Sequence, residues 1–169
     1  DFNPKEAYEL IKRYFGDWKP GNPPAYNPPA EKPITDKVVV KLESTEAPQL
    51  SITYRFNNQE NPRAKYLATM VDMLLSNSKA GLIDLHINQP QKAIGAYSYH
   101  YPLKDYTLHV LGGEPTKGQS LQDLEALIME QIQKIKKGDF PDALITAVVN
   151  NLKMDELEGL RSNRKRMYA

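Results

Sequence analysis

Three histidines, at positions 86, 100 and 109, are the side chains best suited to metal or general-base chemistry in this sequence. His100 and His109 stand on consecutive strand-like segments and face each other if those segments form a hairpin. A zinc site needs three or four ligands at matched spacing, however, and neither H-E-x-x-H nor H-x-x-E-H occurs. Histidines hydrogen-bonded locally on a sheet are the simpler reading. Cysteine is absent, which excludes thiolate ligands, thiolate nucleophiles and disulfides. No serine sits in G-x-S-x-G, and Gly112, Gly113 and Gly118 bracket Glu-Pro-Thr-Lys instead of forming a phosphate cradle. Asp139 and Asp142 are accounted for by a helix start, where carboxylates complement the dipole. Arg161, Arg164, Lys165 and Arg166 have the chemistry to meet phosphate or an anionic peptide end, but a charged solvent face near a cut end is the commoner reason for such a cluster. The residues therefore assign no catalytic, cofactor-binding or metal-binding position.

The elements that carry these side chains can be read from periodicity. Asn3 caps a first helix with Pro4 at its first position, Glu6 three residues after the cap, an apolar stripe of Ala7, Leu10, Ile11 and Tyr14, and Gly16 at its end. Residues 19–33 hold six of the 13 prolines and have neither helical nor strand period, so they read as an extended surface connector. Lys37–Leu42 and the alternating Leu50, Ile52, Tyr54 and Phe56 read as a hairpin turning at Ser44 to Pro48. Asn61-Pro62 opens a second helix, with Ala64, Leu67, Ala68, Val71, Leu74 and Leu75 on one face up to about Asn77. Residues 81–89 fit either a short helix or a strand.

The clearest hairpin joins residues 93–101 and 106–111 across Pro102 to Asp105, with Tyr97, Tyr99 and Tyr101 on one side. Tyrosine covers apolar neighbours while its hydroxyl reaches water, so that side is expected to be half-buried. A third helix is capped by Ser120 with Asp123 at its third position. Its stripe is Leu121, Leu124, Leu127, Ile128, Ile132 and Ile135, and it closes at Lys136, Lys137 and Gly138. A fourth begins between Asp139 and Asp142 and carries Leu144, Ile145, Val148 and Leu152. The fold class is α+β: one antiparallel sheet of about four strands with helices packed on one side.

Composition narrows the partners. The 169 residues carry 22 Lys+Arg against 21 Asp+Glu, a net charge of +1, so no global field points to nucleic acid or an anionic membrane. No apolar run reaches the roughly 18 residues of a membrane span. One sizeable core is affordable and two large domains are not. The start at Asp1, directly before a capped helix, and the run Arg161–Ala169 without a stop signal read as cut ends, with a strand expected before the first helix. The chain is accordingly taken as a single domain, 1–169, truncated at both ends, with the 19–33 connector inside it. The compartment is left open: a periplasmic or exported parent fits, and so does a cytoplasmic one.

The whole resembles a non-catalytic half-domain of the pitrilysin/insulinase-type zinc metallopeptidases, a group that includes the mitochondrial processing peptidases. Asp1–Trp18, DFNPKEAYELIKRYFGDW, is similar to the family's "GDFD…I…YFGxW" passage from a strand into a helix. The proline-rich connector, Gln49 entering the strand to Tyr54, and the helix at 62–77 follow in the family's order. Leu111–Leu121, Leu127–Asp142 and Asn150–Lys153 look closest to long members from Bacteroidetes. Between Ser76 and Gln89 the chain departs from the usual Gly-rich turn and "LRE", having Ala80-Gly-Leu-Ile-Asp84 instead.

In such proteins an inverted H-x-x-E-H motif and a distant glutamate hold zinc in an N-terminal domain, and homologous domains without it close a peptide-degrading chamber. The resemblance implies the second kind for this chain. Zinc is expected in the parent's catalytic domain and no cofactor in this one. The implied partners are other domains of the parent peptidase and peptide substrate, with no nucleic acid and no membrane. Tyr97, Tyr99 and Tyr101 are the candidate peptide-facing residues. The alternative is a subunit- or domain-docking module without peptide contact.

Overall fold

A computed structural model describes residues 2–26, 29, 31–58 and 63–168, apart from the side chains of Lys65 and Tyr168. The chain divides into two compact units, one up to Lys37 and one from Val38 onward.

The first unit contains helix α1, Pro4–Phe15. Its start is built as its sequence demands: Asn3 Oδ1 accepts from the Lys5 N–H at 3.0 Å, Pro4 fills the first turn, and Asn3 Nδ2 donates to Glu6 Oε1 at 3.1 Å. The Gly16 N–H closes the last turn on the Lys12 carbonyl, and Phe15 meets Trp18 edge to face at 5.0 Å. No residue of α1 is buried. The described residues of the proline-rich connector have neither helix nor strand.

The second unit is a three-stranded antiparallel sheet, in the order β1-β3-β2, with helices on one face. Strand β1 is Leu50–Asn57, β2 Gly95–Pro102 and β3 Tyr106–Glu114. The expected hairpin of 93–101 with 106–111 is present, with Tyr97 opposite Gly112, Tyr99 opposite Val110 and Tyr101 opposite Leu108. β1 lies on the other side of β3, with Ile52 opposite Leu111 and Tyr54 opposite His109.

Among the described residues no fourth strand forms. Lys37–Leu42 forms no ladder, and Val38, Val39, Val40 and Leu42 are exposed. A β-branched run becomes a strand only where it joins a ladder and buries a face, and among the described residues this one joins no ladder and stays exposed. In place of the expected hairpin turn the chain only bends at 45–46, with the Glu46 N–H donating to Ser44 Oγ at 3.1 Å.

Helix α2 spans Ala64–Leu75, two residues short of the expected end, and the Asn61-Pro62 opening falls outside the described residues. Residues 82–88 are helical, with a π-helical turn at Asp84–Asn88, which decides the element left open by the sequence. Helix α3, Leu121–Lys137, has the complete capping box of Ser120 and Asp123 and ends at Gly138 in the left-handed conformation, φ 68°. Helix α4 continues well past Lys153, over Asp142–Arg161, and a short α5 covers Asn163–Tyr168.

The main core joins Leu75 of α2, Ile83 and Ile87 of the π-helical segment, Ala96 and Leu111 of the sheet, and Leu124 and Ile128 of α3. Leu74 packs with Leu144 and Val148 of α4 in a smaller cluster. One polar side chain in this interior is incompletely satisfied. Gln131 is buried on α3, its amide donates to the Leu127 carbonyl at 3.2 Å, and its Oε1 has no partner.

Candidate functional site

Two groups of side chains sit on the β2–β3 hairpin, one on each face. Cross-strand pairing puts Ser98, His100, His109 and Leu111 toward the helices. Opposite them on α2 stands Asp72, on the helix's inward stripe between Ala68 and Leu75. Asp72 Oδ1 accepts from Ser98 Oγ at 2.6 Å, and Oδ2 accepts from His100 Nδ1 at 3.1 Å. Since the Ser98 proton is given to Asp72, His109 Nε2 must donate to Ser98 Oγ, at 2.8 Å. A neutral His100 that donates from Nδ1 accepts at Nε2 from the Thr69 hydroxyl, at 3.1 Å. Burial alone would raise the Asp72 pKa. His109, Ser98 and His100 together outweigh it and hold the carboxyl below its usual range. His109 Nε2 lies 3.8 Å from Asp72 Oδ1.

This constellation contains the residue types of a Ser-His-Asp site in the wrong connectivity. A nucleophilic serine gives its proton to histidine, whereas here it goes to the carboxylate, so no base is poised to activate Ser98. Nor do the residues fit zinc. The ring nitrogens converge on Asp72, Ser98 and Thr69 instead of on a common centre, and among the described residues no group of three His, Cys, Asp or Glu is arranged to hold a metal. The network is a polar lock that ties α2 to two strands at once. His86 is far simpler: its Nδ1 lies 2.9 Å from the Leu82 carbonyl on its own helical segment.

Asp72 was not among the residues singled out by sequence. A signal for it existed, because an acidic residue in an otherwise apolar helical stripe requires buried polar partners. The cross-strand approach of His100 and His109 was legible, and the structure pairs them directly.

The opposite face of the hairpin carries Tyr97, Tyr99 and Tyr101, which are 40%, 48% and 57% exposed. Val110, between them on the central strand, is buried. Tyr97 and Tyr99 stack with centroids 5.9 Å apart and planes 26° from parallel. A Cβ at Gly112 would lie 2.6 Å from the Tyr97 hydroxyl oxygen and 2.8 Å from Cζ, so it is the missing side chain there that lets the tyrosine lie across β3. Arg55 on β1 places its guanidinium 5.0 Å from the Tyr106 ring. Burial raises the Tyr97 pKa, and the neighbouring Tyr99 and Glu114 add to the rise. The free edge of β2 is closed at one rung, since Asn88 Oδ1 accepts from the Ala96 N–H and Asn88 Nδ2 donates to the Ala96 carbonyl, both at 2.9 Å.

The sequence matches the family model described as "Peptidase M16 inactive domain" over residues 1–152. The chain belongs to this family. The pitrilysin/insulinase-type resemblance and its non-catalytic half-domain are thereby borne out, as is the α+β class, although with three strands in place of four. A crystal structure of a protease from Helicobacter pylori has the same fold, with a TM-score of 0.74 and 20% identity over 98% of this chain. The M16 inactive domain spans 41% of that protease's length. No curated protein matches. No helix among the described residues is long and apolar enough to cross a membrane.

Proposed function

We propose that this M16 inactive domain forms part of the wall of a peptide-degrading chamber in a zinc metalloendopeptidase, with zinc held by another domain of the parent protein. The observation that carries the proposal is the asymmetry of the sheet. One face is sealed by α2, α3 and the Asp72 lock, while the other offers stacked tyrosines at half exposure. Rigid rings with polar tips bind extended chains at small entropic cost and tolerate varied sequences. Asn88 already satisfies both backbone groups of Ala96, so substrate would meet β2 there through its face and not by adding a strand.

The test is a titration of the chain with short unstructured peptides, followed by the ring resonances of Tyr97, Tyr99 and Tyr101. Saturable shifts confined to these rings are expected. Unmoved rings at millimolar peptide would reject the wall and leave the domain-docking role. In the parent reading frame, an H-x-x-E-H motif about 200 residues before Asp1 is expected on the same proposal.

A further inference from the structure

Resting on the peptide-wall reading, we infer that the Glu114 end of the tyrosine face is a subsite for a cationic side chain, lysine or arginine, of the bound peptide. Glu114 ends β3 and is paired with Gly95 at the start of β2. These two positions share the tyrosine face, because the register places Tyr97 opposite Gly112 two residues further along. A Cβ at Gly95 would meet nothing within 4 Å, so the sheet surface is open at the position paired with Glu114 and two residues before Tyr97. Glu114 is held from one side, where Gln49 Nε2 donates to its Oε1 at 3.2 Å. Among the described residues no lysine or arginine pairs with it. An open surface position near an aromatic ring and an oriented carboxylate is the chemistry that recognises a cation. The ring quadrupole attracts it through the face, and the carboxylate supplies the charge.

The Tyr97–Tyr99 stack extends the same surface along β2. A peptide lying across it would set its backbone over the rings and drop a long basic side chain onto the open position. Lysine and arginine suit this because their methylene stems cover the ring while the head reaches the acid. The half-buried setting of Glu114 makes the preference stronger than that of an exposed surface pair, and the expected gain is about three- to tenfold in affinity over a neutral side chain of the same length.

Three end-blocked octapeptides of Gly, Ser and Ala, with a single central lysine, norleucine or glutamate, distinguish the subsite from the wall that contains it. Each is titrated into the 169-residue chain and into its Glu114→Gln variant, with the tyrosine rings as reporters. Glu114→Gln retains an acceptor for Gln49 and removes only the charge. The lysine peptide is expected to bind about three- to tenfold tighter than the norleucine peptide and the glutamate peptide weakest, with the lysine advantage abolished in the variant and diminished by salt. Equal affinity for lysine and norleucine overturns the cation subsite while the wall stands. A lysine advantage that survives Glu114→Gln also overturns it. No ring shift with any peptide overturns both.

Discussion

Replacing Asp72 by Asn removes one charge from the interior face of α2 and changes almost nothing in shape. The carboxylate accepts from Ser98 at 2.6 Å and from His100 at 3.1 Å, and its side chain is only 13% exposed. An asparagine can keep one of these bonds through its carbonyl, but its NH₂ stands where the second oxygen accepted, so a charge-assisted bond is lost and its former donor must turn its proton elsewhere. A hydrogen bond to a charged group contributes about 1.5–3 kcal/mol, and one such bond is lost outright, so the expected cost is about 2–3 kcal/mol at neutral pH. With a urea slope of about 2 kcal/mol per M, the midpoint falls by about 1–1.5 M, readable by far-ultraviolet circular dichroism. The pH dependence follows from the sign of the shift. The Asp72 pKa is lower in the folded chain than in the unfolded one, so its contribution is complete above the unfolded value of about 4 and is lost as pH falls through the folded value. The gap between parent and variant should therefore be full at pH 5 and above and close as pH is lowered from 4 toward 2. An unchanged midpoint at pH 7, or a gap that persists undiminished at the acid end, would refute the lock.

Gln131→Leu should raise stability by about 1 kcal/mol, because it removes a buried oxygen without a partner while conserving most of the volume; a lower thermal midpoint would contradict this. Gly138→Ala should cost about 1 kcal/mol by forcing a Cβ into the left-handed C-cap of α3, measured by urea unfolding. Gly113→Ala should cost more, about 2–3 kcal/mol, since its Cβ would stand 2.4 Å from the Gly95 carbonyl oxygen and 3.0 Å from the Ala96 Cα, both backbone atoms of the paired strand. Hydrogen exchange of β2 and β3 amides would show that cost as faster opening of the hairpin.

Much of this fold was legible because local chemistry and tertiary environment agree. Ser120, Asp123 and Gly138 bound α3 by hydrogen bonds and a backbone angle that need nothing from the rest of the protein. The β2–β3 hairpin was legible for a related reason, since four residues separate two alternating segments and fix their register. Lys37–Leu42 shows where such reasoning stops. Its β-branched residues satisfy every local criterion for a strand, yet strand formation is a property of a pair, and among the described residues no strand forms a ladder with it. The segment at 82–88 was ambiguous for the opposite reason. Its helical state rests on non-local contacts, with Asp84 accepting from the Asn77 N–H at 2.8 Å and Asn88 gripping Ala96.

The two faces of the hairpin differ in legibility because each depends on a different distance along the chain. The tyrosine row needs only strand period, and Tyr97, Tyr99 and Tyr101 do share a side. What makes the row a flat surface is Gly112, fifteen positions after Tyr97, whose absent side chain is meaningful only once the register places it under the ring. A slip of one residue would turn all three tyrosines toward α2 and carry Ser98 and His100 out to water. The Asp72 lock therefore does more than hold a helix. By requiring Ser98 and His100 beneath α2, it excludes the slipped pairing, and the geometry of the tyrosine face is set by polar contacts made on the other side of the sheet. Asp72→Asn should in consequence disturb the ring resonances of Tyr97 and Tyr99 even where the fold persists, although no atom of Asp72 lies on their face.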